Sequence, residues 1–194
     1  MKKLLTVLAL VASAAASFGQ GTITFQNSGA GTFFGDPTGV TIDRKVYLGS
    51  VGNGTGLVGT NYAAQLWYDT GTGMRPLQEA TKIFRIPTTT QPGTWNTAPT
   101  ALATFADLAI GATAQLEVRV WDIQKFATYA AALAGGGEVG RSQPFGYTVP
   151  LAGSAPADYT LKGLRAFAVV PEPSVIALGV LGLGSLLLFR RKKA

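Results

Sequence analysis

From Val175 to Phe189 the chain runs fifteen residues without a charge, and Arg190, Arg191, Lys192 and Lys193 follow at once. A globular domain rarely ends a wholly apolar helix in four adjacent cations. As an α-helix rising about 1.5 Å per residue the run spans roughly 22 Å. Ser174 and the aliphatic stems of Arg190 and Arg191 extend that reach toward a hydrocarbon core of about 30 Å, because long basic side chains snorkel to the headgroups. The segment therefore predicts a transmembrane helix, with the basic cluster keeping the C-terminus on the cytoplasmic side. Just ahead of it, Pro171 and Pro173 flank Glu172. Each proline restricts φ, removes a backbone donor and disfavours helix in the residue before it. Val170 to Ser174 is thus expected to be extended and exposed outside the membrane.

The other end carries an export pattern. Met1-Lys2-Lys3 is a basic start, Leu4 to Ala16 is apolar with small residues toward its end, and Ser17-Phe18-Gly19 places small residues at −3 and −1 before Gln20. This predicts a secretory signal peptide, helical in its apolar stretch and cut between Gly19 and Gln20, with a second site before Ser17. The mature body is expected outside the cytoplasmic membrane, after passage through a Sec-type translocon and cleavage by a signal peptidase.

The tail resembles a PEP-CTERM sorting domain, and the resemblance covers Val170 to Ala194 with its three parts in order. The family motif falls on Pro171, Glu172 and Pro173, the membrane anchor on Val175 to Phe189, and the stop on Arg190, Arg191, Lys192 and Lys193. The resemblance implies processing near the motif by exosortase, an integral-membrane cysteine protease of Gram-negative-type bacteria. It also implies an exported surface or matrix protein, often associated with exopolysaccharide. Residues 1–19, 20–169 and 170–194 are the expected signal, body and sorting tail.

The formal net charge of +6 invites a nucleic-acid reading that does not survive partition. Six of the sixteen basic residues sit in the two ends, and residues 20 to 171 carry ten basic and nine acidic residues, a net of +1. The basic residues of the body are scattered, with no patch to neutralise phosphates. The chain has neither cysteine nor histidine. Disulfide bracing is excluded, as are histidine-based triads and the commonest zinc ligand. No cofactor is expected.

Within the body, short strand-like runs alternate with Gly, Pro, Asn and Asp turns, the pattern of an all-β, antiparallel β-sandwich, jelly-roll-like in its strand spacing. Strands are predicted at Thr22–Gln26, Lys45–Gly49, Ala63–Asp69, Lys82–Ile86, Gln115–Asp122, Phe145–Val149 and Gly163–Val170. Asn27–Gly39, Ser50–Asn61 and Thr88–Thr100 read as loops. In the clearest strand Leu116, Val118 and Val120 share one face, and Glu117, Arg119 and Trp121 the other, so the second face is expected toward solvent. The one helix is predicted over Gln124–Ala134, ended by Gly135-Gly136-Gly137.

Three chemistries merit weighing. A glycosidase needs two carboxylates across a cleft; Glu79, Glu117, Glu138 and the aspartates show no such spacing, and Glu117 reads as a surface charge beside Arg119. Asp36, Asp43, Asp69 and Asp122 sit at turns, where aspartate serves local hydrogen bonding as readily as calcium. Trp67, Tyr68, Trp95 and Trp121 are candidate sugar-stacking rings, with Trp95, in the Thr/Pro-rich loop, expected to be the most exposed. The expected role is structural or adhesive, not enzymatic, within the envelope or exopolysaccharide layer. The alternatives are a carbohydrate-binding module, a secreted glycoside hydrolase and a permanently anchored single-pass protein.

Overall fold

Period-two alternation along Thr113–Asp122 organises the molecule. The computed structural model describes residues 20–95 and 102–171; Gly19 and the predicted signal, and the tail with Glu172, Pro173, the Val175–Phe189 anchor and Arg190 to Lys193, lie outside the described residues. The strands are β1 (Gln20–Thr24), β2 (Val46–Leu48), β3 (Thr55–Gly56), β4 (Tyr62–Asp69), β5 (Arg75–Ile83), β6 (Leu102–Ala109), β7 (Thr113–Asp122), β8 (Glu138–Arg141), β9 (Phe145–Thr148) and β10 (Phe167–Pro171). One helix, α1 (Tyr129–Ala134), lies between β7 and β8. The architecture is all-β and sandwich-like: β1 and β6 form a two-stranded sheet, and the other eight strands form a larger one in the order β3-β2-β10-β8-β7-β4-β5, with β9 also paired to β7.

β7 is the spine. On one edge it pairs with β4 from Tyr62↔Asp122 to Asp69↔Gln115. On the other edge Arg119 to Trp121 pair with β8, and Thr113 to Leu116 pair with β9. Between those two partners Ser142 keeps the ladder closed. Its N–H donates to the Val118 carbonyl at 2.9 Å, and its Oγ accepts from the Val118 N–H at 3.0 Å. A side-chain oxygen thus stands where a strand carbonyl is missing, and a buried donor stays satisfied.

Leu116, Val118 and Val120 point inward and are fully buried, each contributing about 1.5–3 kcal/mol by leaving water. They pack with Leu66 of β4, Leu77 of β5, Tyr147 of β9 and Val169 of β10. Ile23, Ala103, Phe105 and Leu108 from the small sheet close the same core. Phe105 meets Tyr68 edge-on at 5.1 Å and Tyr147 at 5.9 Å.

Several expectations change. The sheet is not wholly antiparallel, because β10 runs parallel to β2. β5 begins at Arg75, well before Lys82, and β6 and β8 occupy stretches not predicted as strand. The helix spans only Tyr129–Ala134, since Thr128 is its N-cap and accepts from the Ala131 N–H at 3.1 Å. Its end follows the prediction: Gly135 caps it, and a Cβ at Gly135 or Gly137 would collide with the ring of Phe126. β10 carries through Val170 and Pro171, which pair with Val139 and Glu138 of β8; the chain is extended here as expected and Val170 is exposed, but the first motif residue already belongs to the sheet.

The Gly-rich stretch expected as loop is anchored from below. Arg44 donates both terminal nitrogens to the Asp36 carboxylate at 2.6 and 2.8 Å, and further bonds to the carbonyls of Ile42, Leu161 and Lys162. Its guanidinium carbon lies 4.1 Å from the centre of the Phe34 ring. Both charged side chains are buried, and the bidentate geometry supplies the directed bonds that such burial requires.

Candidate functional site

The second face of β7 is not a solvent face. Trp121, Val139 and Ala63 are buried there beneath Tyr129 and Ala132 of α1. Trp121 Nε1 donates to the Phe126 carbonyl at 3.1 Å, tying the approach to α1 down onto the strand. Glu117, expected as a surface charge, is 4 % exposed. Its Oε1 accepts from Arg119 Nε at 2.5 Å. A carboxylate withdrawn from water needs a charged partner, and the face expected toward solvent instead carries that pair under the helix.

Arg119 is the hub. Its guanidinium carbon sits 3.8 Å from the centre of the Trp67 ring and 5.1 Å from that of Tyr129. The two rings meet edge to face at 6.3 Å. Trp67 Nε1 is buried and has no hydrogen-bond partner among the described residues, so the ring serves here through its face and its area. In register, Gln65 lies opposite Arg119 and Trp67 opposite Glu117, so the cation reaches its ring diagonally across β4 and β7.

This cluster separates two grooves. One, of about 370 Å³, runs between the start of α1 and β5 and includes Gln65, Trp67, Gln78, Thr81 and Thr128. The other, of about 500 Å³, lies between α1 and β10, lined by Tyr129, Leu133, Ala168 and Val170 together with Arg119 and Arg141. Both volumes are of the size that takes small ligands, about 300–1,000 Å³. A third groove, of about 290 Å³ beside β9, holds Lys162 and Asp158, but those two are paired at 2.6 Å and leave no charge unanswered.

The three tryptophans do not form a common platform. Trp95, expected to be the most exposed, is fully buried. It stacks on Phe25 at 4.7 Å, meets Phe84 edge-on at 6.2 Å, and donates its indole N–H to the Phe25 carbonyl at 3.0 Å. Its own N–H donates to Asn27 Oδ1, and it forms a bridge with Phe84, so the loop enters the core at this residue. Trp121 is buried beneath α1, and Trp67 alone of the three is half-exposed.

The turn aspartates are occupied locally. Asp69 Oδ1 accepts from the N–H groups of Gly71 and Gly73, bonds that hold its carboxyl below the ordinary range. Asp122 Oδ1 accepts from Gln124 and Lys125, and Asp43 from Lys45 N–H and the Tyr47 hydroxyl. Asp107 takes the Tyr68 hydroxyl and Arg75, and Glu138 takes the Tyr62 hydroxyl. Burial, then that bond, pushes the Tyr62 phenol well above its ordinary range. No group of three or more metal-ligating side chains occurs among the described residues, nor any helix long and apolar enough to cross a membrane.

No family model, no curated protein and no solved structure matches this chain.

Proposed function

We propose that this chain is an exported cell-surface or matrix protein, carried out by the signal at residues 1–19 and sorted through the tail at residues 170–194. Its body is a jelly-roll-like sandwich with a structural or adhesive role, and it is not an enzyme. The observation that carries the reading is the order of Pro171-Glu172-Pro173, the uncharged run Val175–Phe189 and the cluster Arg190 to Lys193, beginning at Pro171, the last residue of the final strand of the body. β10 has its partners in place by Pro171, so a cut beyond that residue leaves the sheet whole and separates it from the apolar segment. The partners are the translocon, a signal peptidase, an exosortase-like membrane protease, the membrane itself before processing, and exopolysaccharide afterwards.

Removal of residues 172–194 tests this reading. The shortened chain is expected to stay soluble in the periplasm and not reach the surface, whereas the full chain is first retained in the membrane fraction and then appears at the surface. Equal distribution of the two forms would count against a sorting role for the tail.

A further inference from the structure

Arg119 and Arg141 are register partners on β7 and β8. Like charges directly opposite one another on a sheet cost stability. Arg119 is answered by Glu117 and by two aromatic rings. Arg141 is exposed, and its side chain makes no hydrogen bond or ion pair among the described residues. Both line the same groove of about 500 Å³, together with the half-exposed Leu133 of α1 and Val170 of β10. Among the described residues the Arg141 guanidinium is thus left unanswered beside a second one, with apolar side chains around it.

We propose that this groove binds a carboxylate-bearing saccharide, with Arg141 taking the carboxylate and Leu133, Ala168 and Val170 packing on the C–H face of the ring. A planar guanidinium fork matches a carboxylate in two parallel hydrogen bonds, and a groove of this size holds a small ligand or a short stretch of a polymer. A peptide strand is disfavoured by the sheet itself, because β8 is already paired with β7 on one side and β10 on the other, leaving no backbone edge to extend. Nucleic acid is disfavoured because two guanidiniums and a body of net charge +1 offer no track for a row of phosphates. The site is independent of the sorting reading, since binding by the purified chain is observed whether or not the tail is ever cut.

Calorimetric titration of the full-length chain with trigalacturonate tests the proposal, with maltotriose and triglutamate as comparators. Binding of trigalacturonate that weakens with added salt is expected, with maltotriose and triglutamate each at least about tenfold weaker. Arg141→Gln is expected to reduce affinity about ten- to a hundredfold, the loss of a charge-assisted pair. Leu133→Glu, at an exposed helix position, places a competing carboxylate in the groove and is expected to reduce binding while the melting temperature holds. Lys45→Gln, away from the groove, leaves binding unchanged. Absence of binding at millimolar ligand, undiminished affinity in Arg141→Gln, or equal affinity for maltotriose or triglutamate would each overturn the assignment.

Discussion

Arg119 lies with its guanidinium carbon 3.8 Å from the centre of the Trp67 ring on the neighbouring strand, while its Nε–H donates to Glu117 one pleat away. One side chain therefore answers a buried carboxylate and caps an aromatic face, beneath a helix whose Tyr129 closes the other side. Replacing Arg119 by Ala leaves Glu117 buried without its cation. A loss of about 2–4 kcal/mol is expected, toward the low end for a broken buried pair because Arg119 retains some access to water. The double change Glu117→Gln with Arg119→Met should cost less than Arg119→Ala alone. Urea unfolding of the native chain and the two variants reads the difference, and a double change that costs as much as Arg119→Ala or more would argue against the coupling.

The Asp36–Arg44 pair makes a prediction in acid. Hydrogen bonds from Arg44, foremost, hold the Asp36 carboxyl below its ordinary range. A group depressed in the folded state adds stability that is fully present above its unfolded pKa, about 3.9, and is lost as pH falls through the lower folded value. Melting temperatures of the native chain should therefore drop below about pH 4 more steeply than those of Asp36→Asn. Asp36→Asn should start from a lower value at pH 7, because it leaves Arg44 buried and unpaired. Parallel pH profiles for the two chains would contradict this role.

Trp95 marks where the loop joins the core. Trp95→Ala removes the ring stacked on Phe25 and is expected to cost about 3–5 kcal/mol. Fluorescence quenching by acrylamide checks the burial directly: with Trp67 and Trp121 replaced by Phe, the remaining emission should resist the quencher. Ready quenching would place the ring in solvent.

Ser142→Ala removes the oxygen that accepts from Val118 N–H, leaving a buried donor unmade at a cost of about 1–3 kcal/mol. Hydrogen exchange at the Val118 amide should accelerate in this variant more than at Val120. Unchanged protection at Val118 would show that the hydroxyl is not its partner in solution.

β7 was legible in the sequence because one face alternates Leu116, Val118, Val120 without interruption, and β9 because Phe145 and Tyr147 do the same. What lay on the other face of β7 was not legible. Glu117 and Arg119 look alike whether solvated or paired under a helix, and the helix that covers them is only six residues long. β6 reads Leu-Ala-Thr-Phe-Ala-Asp-Leu-Ala, a composition with little local strand preference, and owes its conformation to pairing with β1. β5 is similar, with Pro76, Glu79 and Ala80 inside a strand specified by β4. The burial of Trp95 is not legible locally, because prolines and threonines around it signal a loop, and no local pattern says that a loop dips into a core. Arg141 carried no signal at all: its place opposite Arg119 follows from the β7–β8 register alone.

Under the proposed function, residues 20–171 are delivered as a unit by a tail that is then removed, and the mature C-terminus tests this most directly. Mass spectrometry of the surface or extracellular form should find a C-terminus beyond Val170, at or shortly after Pro171, with β10 retained and the Val175–Phe189 segment gone. An extracellular form that still ends at Lys193-Ala194, or one cut upstream of Phe167 so that β10 is lost, would contradict it.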